Sequence, residues 1–248
     1  MLAAPALGDV VSGRYRLVRV RARGASAILF EAEDGRGGPR IALKVLRPEV
    51  VDIPGLVSRF EREGQLLASL TSPHVVRVLD FGRTDAGLPC LALELLDGHD
   101  LTAELARGRL PVSRVARLVR QACSALAEAH ARGFVHRDIK PANLFVTTGP
   151  DGAPLLKVLD FGISKSEDRK NELTTAGVTL GTPLYMPPEQ LTSARDADER
   201  CDVWALGVVI FELVTGRAPF EGEAAHDVAV EVLRDEPAPR LRSVLPFV

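Results

Sequence analysis

The sequence has few cysteines, and their positions suggest no cross-link. Cys90, Cys123 and Cys201 are odd in number, far apart in the chain, and form no Cys-x-x-Cys motif. This pattern argues against a disulfide framework and against a zinc site, and it fits a reducing compartment. We therefore predict a cytoplasmic protein.

Long apolar runs and an excess of one charge are also absent. The longest apolar run, Val203 to Phe211, is too short for a membrane span and is flanked by Asp202 and Glu212. The first eight residues lack the basic segment and apolar core of a signal peptide. With 26% charged residues and a formal net charge of -2, neither a nucleic-acid binder nor an acidic disordered chain is indicated. We expect a globular protein with no membrane span and no nucleic-acid partner.

Lysine is scarce compared with arginine, so each lysine merits inspection. Lys44 is the single charge within the apolar run from Ile41 to Leu46. A lysine there either solubilises an edge strand or serves as a buried functional ammonium. The run by itself leaves both interpretations open.

Alternating hydrophobicity predicts a small, sheet-rich first half with one main helix. The helix begins near Pro54 and has an apolar face that includes Phe60, Leu66 and Leu67. The predicted strands are Tyr15 to Arg21, Ile28 to Ala32, Ile41 to Leu46, Val75 to Phe81, and Leu88 to Leu95.

From Asp97 onward the pattern becomes mainly helical. Helices are predicted from Pro111 to about Ala129, from Val203 to Val214, and from Ala224 to Leu233. A hairpin is predicted in residues 144–159, with its turn at Gly149 to Gly152. Residues 163–185 are polar and irregular, and loops of that length are usually functional or mobile.

The stretch from His136 to Asn143 carries the densest chemistry in the chain. Asp138, Lys140 and Asn143 place a carboxylate, an ammonium and an amide within six residues, between apolar flanks. A carboxylate can accept a hydroxyl proton, an ammonium can neutralise charge on a transferred group, and an amide oxygen can hold a divalent metal ion. These eight residues alone still leave open a chance match in a polar surface loop.

The order of several motifs resembles the signature set of protein kinases. A lysine on the third strand is followed by a glutamate on the next helix, by the 136–143 loop, and by Asp160-Phe161-Gly162. The runs at 138–143, 181–190 and 202–207 are most similar to bacterial members of the eukaryotic-like Ser/Thr class. The resemblance implies an α+β, bilobal protein-kinase fold, with a five-stranded antiparallel N-lobe, one main helix and a mainly helical C-lobe. We assign the kinase domain to residues 12–248, with lobes 12–96 and 97–248, and expect it to be C-terminally incomplete.

The resemblance also implies roles for the polar residues, with ATP and Mg²⁺ as substrate and cofactor. Lys44 would contact the α- and β-phosphates and be held by Glu63, which we prefer to Glu61. Asp160 and Asn143 would hold the metal ions. Asp138 would orient the substrate hydroxyl, with Lys140 beside it as in Ser/Thr kinases.

The adenine would lie between apolar side chains and the backbone of the segment joining the lobes. Leu29 and Ala42 would cover one side of the ring and Phe145 the other, while backbone groups of Glu94 and Leu96 would bond its edge. Structural roles are implied for Leu93 as gatekeeper, for the stacked pair His136 and Phe161, and for Asp202, which would brace the catalytic loop. Asp100 is a weak candidate for a ribose contact.

Control by phosphorylation is implied by Arg137, which precedes Asp138. Such kinases commonly need a phosphate on the activation segment to neutralise that arginine. Thr174 and Thr175 are the best-placed acceptors, with Thr179 next. The expected partners are therefore proteins with Ser or Thr hydroxyls, including a second copy of this chain. Thr182 resembles the threonine that contacts both Asp138 and Lys140 in Ser/Thr kinases, which supports Ser and Thr as the acceptor residues.

Two departures from the family pattern keep other functions open. In the phosphate-covering loop, Ala22 and Ala27 stand where glycine is usual, and only Gly24 is kept; alanine there disfavours positive φ and adds a Cβ near the phosphates. The arginine that should pair with Glu189 is not evident, and Arg240 and Arg242 are poor substitutes. The alternatives to an active kinase are a pseudokinase acting as a nucleotide-binding scaffold and an inactive truncated fragment.

Overall fold

The structure, a computed structural model, describes residues 3–161, 183–193, 198–234 and 237–244. The chain divides into two compact units. Unit 1 contains the chain up to Thr71 together with Val76–Asp97, and unit 2 contains Ser72–Val75 and the chain from Gly98 onward.

Unit 1 is built on one antiparallel sheet with the strand order β1-β2-β3-β4-β6-β5. The prediction of five strands was wrong by one, because the described sheet has six strands. The strands are β1 (Val10–Val11), β2 (Tyr15–Arg23), β3 (Ala27–Asp34), β4 (Ile41–Leu46), β5 (Val78–Arg83) and β6 (Pro89–Glu94).

The extra strand, β1, is too short to produce a periodic sequence pattern. It pairs with the start of β2 through Val10↔Arg16 and Val11↔Tyr15. Ser12 and Gly13 turn the chain between them with φ values of 54° and 62°, and Arg14 N donates to Val11 O at 3.1 Å. The left-handed conformation at both positions permits this tight reversal.

Alternation along β4 sends its side chains to opposite faces of the sheet. Ile41, Leu43 and Val45 belong to the buried hydrophobic cluster of unit 1. Ala42 and Lys44 therefore point to the other face, and the register puts Leu29 of β3 opposite Lys44. The strand pattern thus places three of the predicted site residues on one face.

Helix α1 (Leu56–Ser69) packs on the sheet with Leu56, Phe60, Glu63, Gly64, Leu66 and Leu67 as its buried residues. It begins two residues after Pro54, with Gly55 at the N-cap in the left-handed conformation. The period of about 3.6 residues explains why the buried positions lie on one stripe. Glu63 is the one charged residue in that stripe.

Unit 2 contains a three-stranded antiparallel sheet in the order β7-β8-β9. Its strands are β7 (Gly98–Asp100), β8 (Leu144–Thr148) and β9 (Pro154–Val158). Gly98 is required in β7, because its φ is 150° and an added Cβ would clash with Val146 O. The predicted hairpin is present as β8 and β9.

Helices supply most of the remaining described part of unit 2. The two longest, α3 and α5, contact each other; α5 is buried on nearly every side, which matches its almost wholly apolar sequence. The helices are α2 (Leu101–Leu105), α3 (Val112–Ala131), α4 (Pro188–Thr192), α5 (Arg200–Thr215), α6 (Ala225–Leu233) and α7 (Leu241–Val244).

No helix within the described ranges combines the length and the apolar character that crossing a membrane would require. Cys90, Cys123 and Cys201 are free cysteines.

Candidate active site

Lys44 and Glu63 form a close ion pair in unit 1. Lys44 Nζ lies 2.7 Å from Glu63 Oε1, and the two side chains are 16% and 4% exposed. The Phe60 ring lies 5.8 Å from the ammonium. A charge pair so shielded from water holds the lysine in a fixed position, whereas an exposed edge lysine would be mobile. The contact therefore favours the functional interpretation of Lys44 over the solubilising one.

The approach of α1 to the sheet depends on Gly64. A Cβ added there would overlap Leu91 Cδ2 on β6, and Leu91 is itself opposite Lys44 in the β4–β6 register. The absent side chain lets α1 sit close to the sheet, which brings Glu63 within reach of Lys44. The choice of Glu63 over Glu61 agrees with this geometry, since Glu61 instead bonds Arg83 on the surface.

The remaining predicted nucleotide-binding residues of unit 1 lie on β2, β3, β4, β6 and the segment after β6. Leu29 is half-buried and Ala42 is buried. Glu94 N donates to Arg77 O at 2.9 Å, and Glu94 is paired with Ile41 in the β4–β6 register. Leu96 follows β6 in an irregular, half-buried segment.

The turn expected to cover phosphates is a tight β2–β3 hairpin. Gly24 N donates to Ala27 O at 2.9 Å. Among the described residues, positive φ at a non-glycine is found only at Ser12, Arg137 and Asp160. Ala22 and Ala27 are therefore in ordinary strand conformation, and the expected backbone penalty for alanine was wrong. The conformational part of the sequence argument for a pseudokinase loses its support here.

In unit 2 the side chains of the catalytic loop are bonded to one another. Lys140 Nζ and Asn143 Nδ2 each donate to Asp138 Oδ2 at 3.0 Å. Asn143 Nδ2 also donates to Asp138 O at 2.7 Å. These bonds fix the carboxylate of Asp138 between a cation and an amide, and that side chain is 12% exposed.

Asp202 on α5 holds the backbone of this loop. His136 N donates to Asp202 Oδ2 at 2.9 Å and Arg137 N donates to Oδ1 at 2.8 Å. His130 Nε2 also lies 2.7 Å from Oδ2. Asp202 has no exposed surface, so its charge depends on these donors for stabilisation. His130 and Asp202 are 72 positions apart in the chain, so no local sequence pattern indicates their contact.

The ring of His136 links the loop to the end of β9. Asp138 N donates to His136 Nδ1 at 3.2 Å, and His136 Nε2 lies 2.9 Å from Leu159 O. Since Nδ1 accepts, the bond to the carbonyl requires the proton on Nε2. Phe161 packs on the ring at 4.6 Å between centroids. The two residues are buried, in agreement with a structural role.

Asp160 follows immediately and is exposed. Its φ of 43° is in the left-handed region, which costs energy for a residue with a Cβ. Leu159 N donates to Asn143 O at 2.9 Å, so the backbone before Asp160 is tied to the loop that carries Asn143. Phe145, on β8, is half-buried and pairs with Asp100 in the β7–β8 register.

The donor set of unit 2 suits a magnesium ion. Because the amide nitrogen of Asn143 donates to Asp138, Oδ1 is the atom of that side chain that could ligate a metal, and the carboxylate of Asp160 could supply a second ligand. Mg²⁺ prefers such oxygen donors and takes its other ligands from water and phosphate. Within the described ranges, no cluster of three or more His, Cys, Asp or Glu side chains could hold a metal by itself.

Other groups near the loop are structural. Asp100 Oδ1 accepts from Ala103 N at 2.8 Å and caps α2, which gives it a role other than the ribose contact. Burial, followed by the charge of Asp202, raises the pKa of Cys201 to about 12, so its thiol stays protonated at neutral pH.

Glu189 is exposed, and in the part of the chain that the structure describes no ion pair to it is present. Gly162, Thr174, Thr175, Thr179 and Thr182 lie outside the described residues.

Gln190 also contacts the catalytic loop, and the sequence did not predict this contact. Its Nε2 donates to Arg137 O at 2.9 Å across 53 residues of sequence. Only its position directly after Glu189 marks it in the sequence, and that gives no indication of the partner.

Comparison with known proteins identifies the family. The family model described as "Protein kinase domain" matches residues 15–242. The chain belongs to the protein kinase family. The predicted protein-kinase fold is confirmed, apart from the strand count given above.

Named kinases of two bacteria are similar over nearly the whole chain. Pkn1 of Myxococcus xanthus, a serine/threonine-protein kinase, is 42% identical over 98% of this chain and 34% of its own length. PknA of Mycobacterium tuberculosis, also a serine/threonine-protein kinase, is 39% identical over 95% of this chain and 54% of its own length. The chain thus spans between a third and just over half of these kinases.

A solved kinase structure shows the same fold. The PknI kinase domain of Mycobacterium tuberculosis has a TM-score of 0.73 and 29% identity, covering 99% of this chain and 87% of that one.

Proposed function

We propose that this chain transfers the γ-phosphoryl group of ATP to serine and threonine hydroxyls of proteins. The observation that carries the proposal is the bonding of Asp138 by Lys140 and Asn143, in a chain that belongs to the protein kinase family. The printed names of the relatives are serine/threonine-protein kinases, and they support the choice of Ser and Thr as acceptors.

Each residue has a role that follows from its chemistry. Asp138 accepts a hydrogen bond from the substrate hydroxyl and aims its oxygen at phosphorus. Lys140, already bonded to Asp138, donates to the phosphoryl oxygens as they gain charge. Lys44, fixed by Glu63, neutralises the α- and β-phosphates. A hydroxyl is a weak nucleophile, so positioning and charge neutralisation supply most of the acceleration.

Asn143 and Asp160 would hold Mg²⁺, which when bound neutralises the phosphates and screens the attacking oxygen from their charge. The adenine would contact Leu29, Ala42 and Phe145, with the backbone of Glu94 and Leu96 at its edge. The backbone of the β2–β3 hairpin at Ala22 and Gly24 would cover the phosphates.

The decisive experiment compares the chain with Asp138→Asn in transfer of labelled phosphate from ATP to a protein substrate. Loss of the negatively charged base should lower kcat by about 10²–10⁴-fold. Asp151→Asn is the matched control, because Asp151 is an exposed acid in the β8–β9 turn that bonds only nearby backbone. Equal activity of Asp138→Asn and the unchanged chain would refute the proposal.

Binding can be separated from catalysis by thermal melting. Mg-ATP should raise the midpoint for the chain and for Asp138→Asn alike, because bound ligand stabilises the folded state. A folded chain with no shift would rule out the nucleotide-binding role.

The same proposal extends to a second copy of the chain as substrate. Incubation with Mg-ATP should place phosphate on the segment between Asp160 and Glu189, with Thr174 or Thr175 as first acceptors and Thr179 next. Peptide mapping that finds phosphate elsewhere but none there would remove this part of the proposal while leaving the transfer activity intact.

A further inference from the structure

We propose that Gln190 is a positioning residue for the catalytic loop: by holding the carbonyl of Arg137 it fixes the peptide group that carries Asp138. The inference rests on the proposed function for its effect on rate, but its structural part can be tested without activity.

The conformation of Arg137 demands external support. Its φ is 62°, a left-handed value that is strained for a residue with a Cβ. Such a residue keeps this conformation only when its surroundings fix it. The backbone N–H and C=O of Arg137 are both bonded by side chains from elsewhere in unit 2, the first by Asp202 and the second by Gln190.

The peptide group between Arg137 and Asp138 is held at both ends. Its oxygen accepts from Gln190 Nε2 at 2.9 Å, and its N–H donates to His136 Nδ1 at 3.2 Å. A rotation of this peptide plane would break both bonds. The plane ends at the Asp138 Cα, so the two bonds hold the N–Cα bond next to which the Asp138 side chain projects.

Gln190 is suited to this role because it is buried and comes from a distant segment. The side chain belongs to a residue that is 5% exposed, so leaving the amide or the Arg137 carbonyl without its bond would cost the desolvation of a polar group. Gln190 lies on α4, and its own N–H donates to Pro187 O at 3.0 Å. Because Arg137 is 53 residues away in sequence, the bond forms only when α4 is folded against the 136–138 loop.

The first test compares kcat with KM in three variants. Gln190→Leu removes the donor at similar size, and Gln190→Glu keeps the shape but places a carboxylate against a carbonyl oxygen. Gln121→Leu is the control, because Gln121 also bonds backbone from a helix of unit 2, donating to Pro154 O and accepting from Leu156 N. We expect about tenfold to hundredfold lower kcat for both Gln190 variants. The KM for ATP should change by less than about twofold, and Gln121→Leu should lose stability but keep its kcat.

The second test uses pH to distinguish a missing hydrogen bond from general loosening. A buried carboxyl has a raised pKa, and when protonated it can donate its O–H to Arg137 O. For each variant the measured quantity is its kcat divided by the kcat of the unchanged chain at the same pH. For Gln190→Glu this ratio should increase as the pH is lowered from about 8 to about 6. For Gln190→Leu the ratio should not change with pH. Arg137, Asp138, Tyr185 and Cys201 line the same cavity as Gln190; they are present in every variant, so the ratios isolate position 190.

The third test is hydrogen exchange, which needs no kinase activity. Amides of the 136–138 loop should exchange faster in Gln190→Leu than in Gln121→Leu at matched overall stability. Unchanged loop exchange together with an unchanged kcat would overturn the inference. Faster exchange in a chain without transfer activity would support the positioning contact while refuting the proposed function.

Discussion

At the scale of single residues, substitutions at Lys44 and Glu63 should affect folding stability and phosphotransfer activity in different ways. Removing the ammonium in Lys44→Met leaves the Glu63 carboxylate, 4% exposed, in an environment that disfavours charge. We expect a loss of about 3 kcal/mol, at the low end for a buried pair because Lys44 keeps some contact with water. Phosphotransfer should fall to background.

The double variant Lys44→Met/Glu63→Gln tests the cause of each effect. A neutral amide at position 63 removes the buried negative charge, so much of the stability lost in Lys44→Met should return in chemical denaturation. Activity should not return, because the cation for the phosphates is still missing. Recovery of both would mean that Lys44 has only a structural role.

Residues on short motifs were predictable, and residues whose partners are remote were not. Asp138, Lys140 and Asn143 lie within six residues, so their chemistry could be seen in the sequence. His130 and Gln190 bond partners 72 and 53 residues away, and only the folded chain connects them. The left-handed conformations of Arg137 and Asp160 were equally hidden, since neither is a glycine.

At the scale of elements, the β2–β3 hairpin makes a prediction about its alanines. Because Ala22 and Ala27 have ordinary strand φ values, replacing both with glycine should not improve the affinity for ATP. It should instead destabilise the strands by roughly 0.5–1 kcal/mol per site. Calorimetric titration with Mg-ATP and a thermal melt measure the two effects, and clearly tighter binding would show that the alanines do hinder the phosphates.

Gly98 and Gly207 should respond in opposite ways to alanine. Gly98→Ala forces a Cβ into Val146 O across the β7–β8 pair, so we expect a loss of about 3 kcal/mol or more. Gly207 lies in α5 with nothing within 4 Å of an added Cβ, and alanine there should stabilise by about 0.5–1 kcal/mol. Denaturant midpoints give the comparison, and similar values for both would contradict the assignment of Gly98.

The sequence predicted the longer elements and missed the shortest ones. Periodicity located α1, α3, α5 and the β8–β9 hairpin, because each extends over enough residues to show a repeat. It missed β1, β7, α2, α4 and α7, which have between two and five residues. Short elements form where tertiary contacts hold them, such as the pairing of β7 with β8, so local pattern carries little information about them.

For the molecule as a whole, buried Glu212 should make stability depend on pH. Burial raises the pKa of Glu212, and the hydrogen bond from Tyr185 opposes only part of that effect. The folded state then holds the proton more tightly than the unfolded chain, so the contribution of Glu212 to stability is present at acid pH and is lost as the pH rises through its folded pKa.

Glu212→Gln should therefore raise the melting midpoint at neutral pH, because it removes the charge and keeps an oxygen to accept from Tyr185. The difference should shrink below about pH 4, where Glu212 is protonated in both states. Glu223→Gln, on the exposed surface, controls for the change in net charge and should leave the midpoint almost unchanged. A gain independent of pH would show that repacking is responsible.

The anchoring of the catalytic loop by Asp202 has a consequence for biosynthesis. His136 and its anchor are 66 residues apart in sequence, so a ribosome finishes the loop well before it makes the residue that shapes it. A nascent chain ending ahead of α5 contains Asp138, Lys140 and Asn143 but lacks the carboxylate that bonds the backbone N–H groups of His136 and Arg137. Under the proposed function, we expect a nascent chain to gain phosphotransfer activity only after α5 has been synthesised.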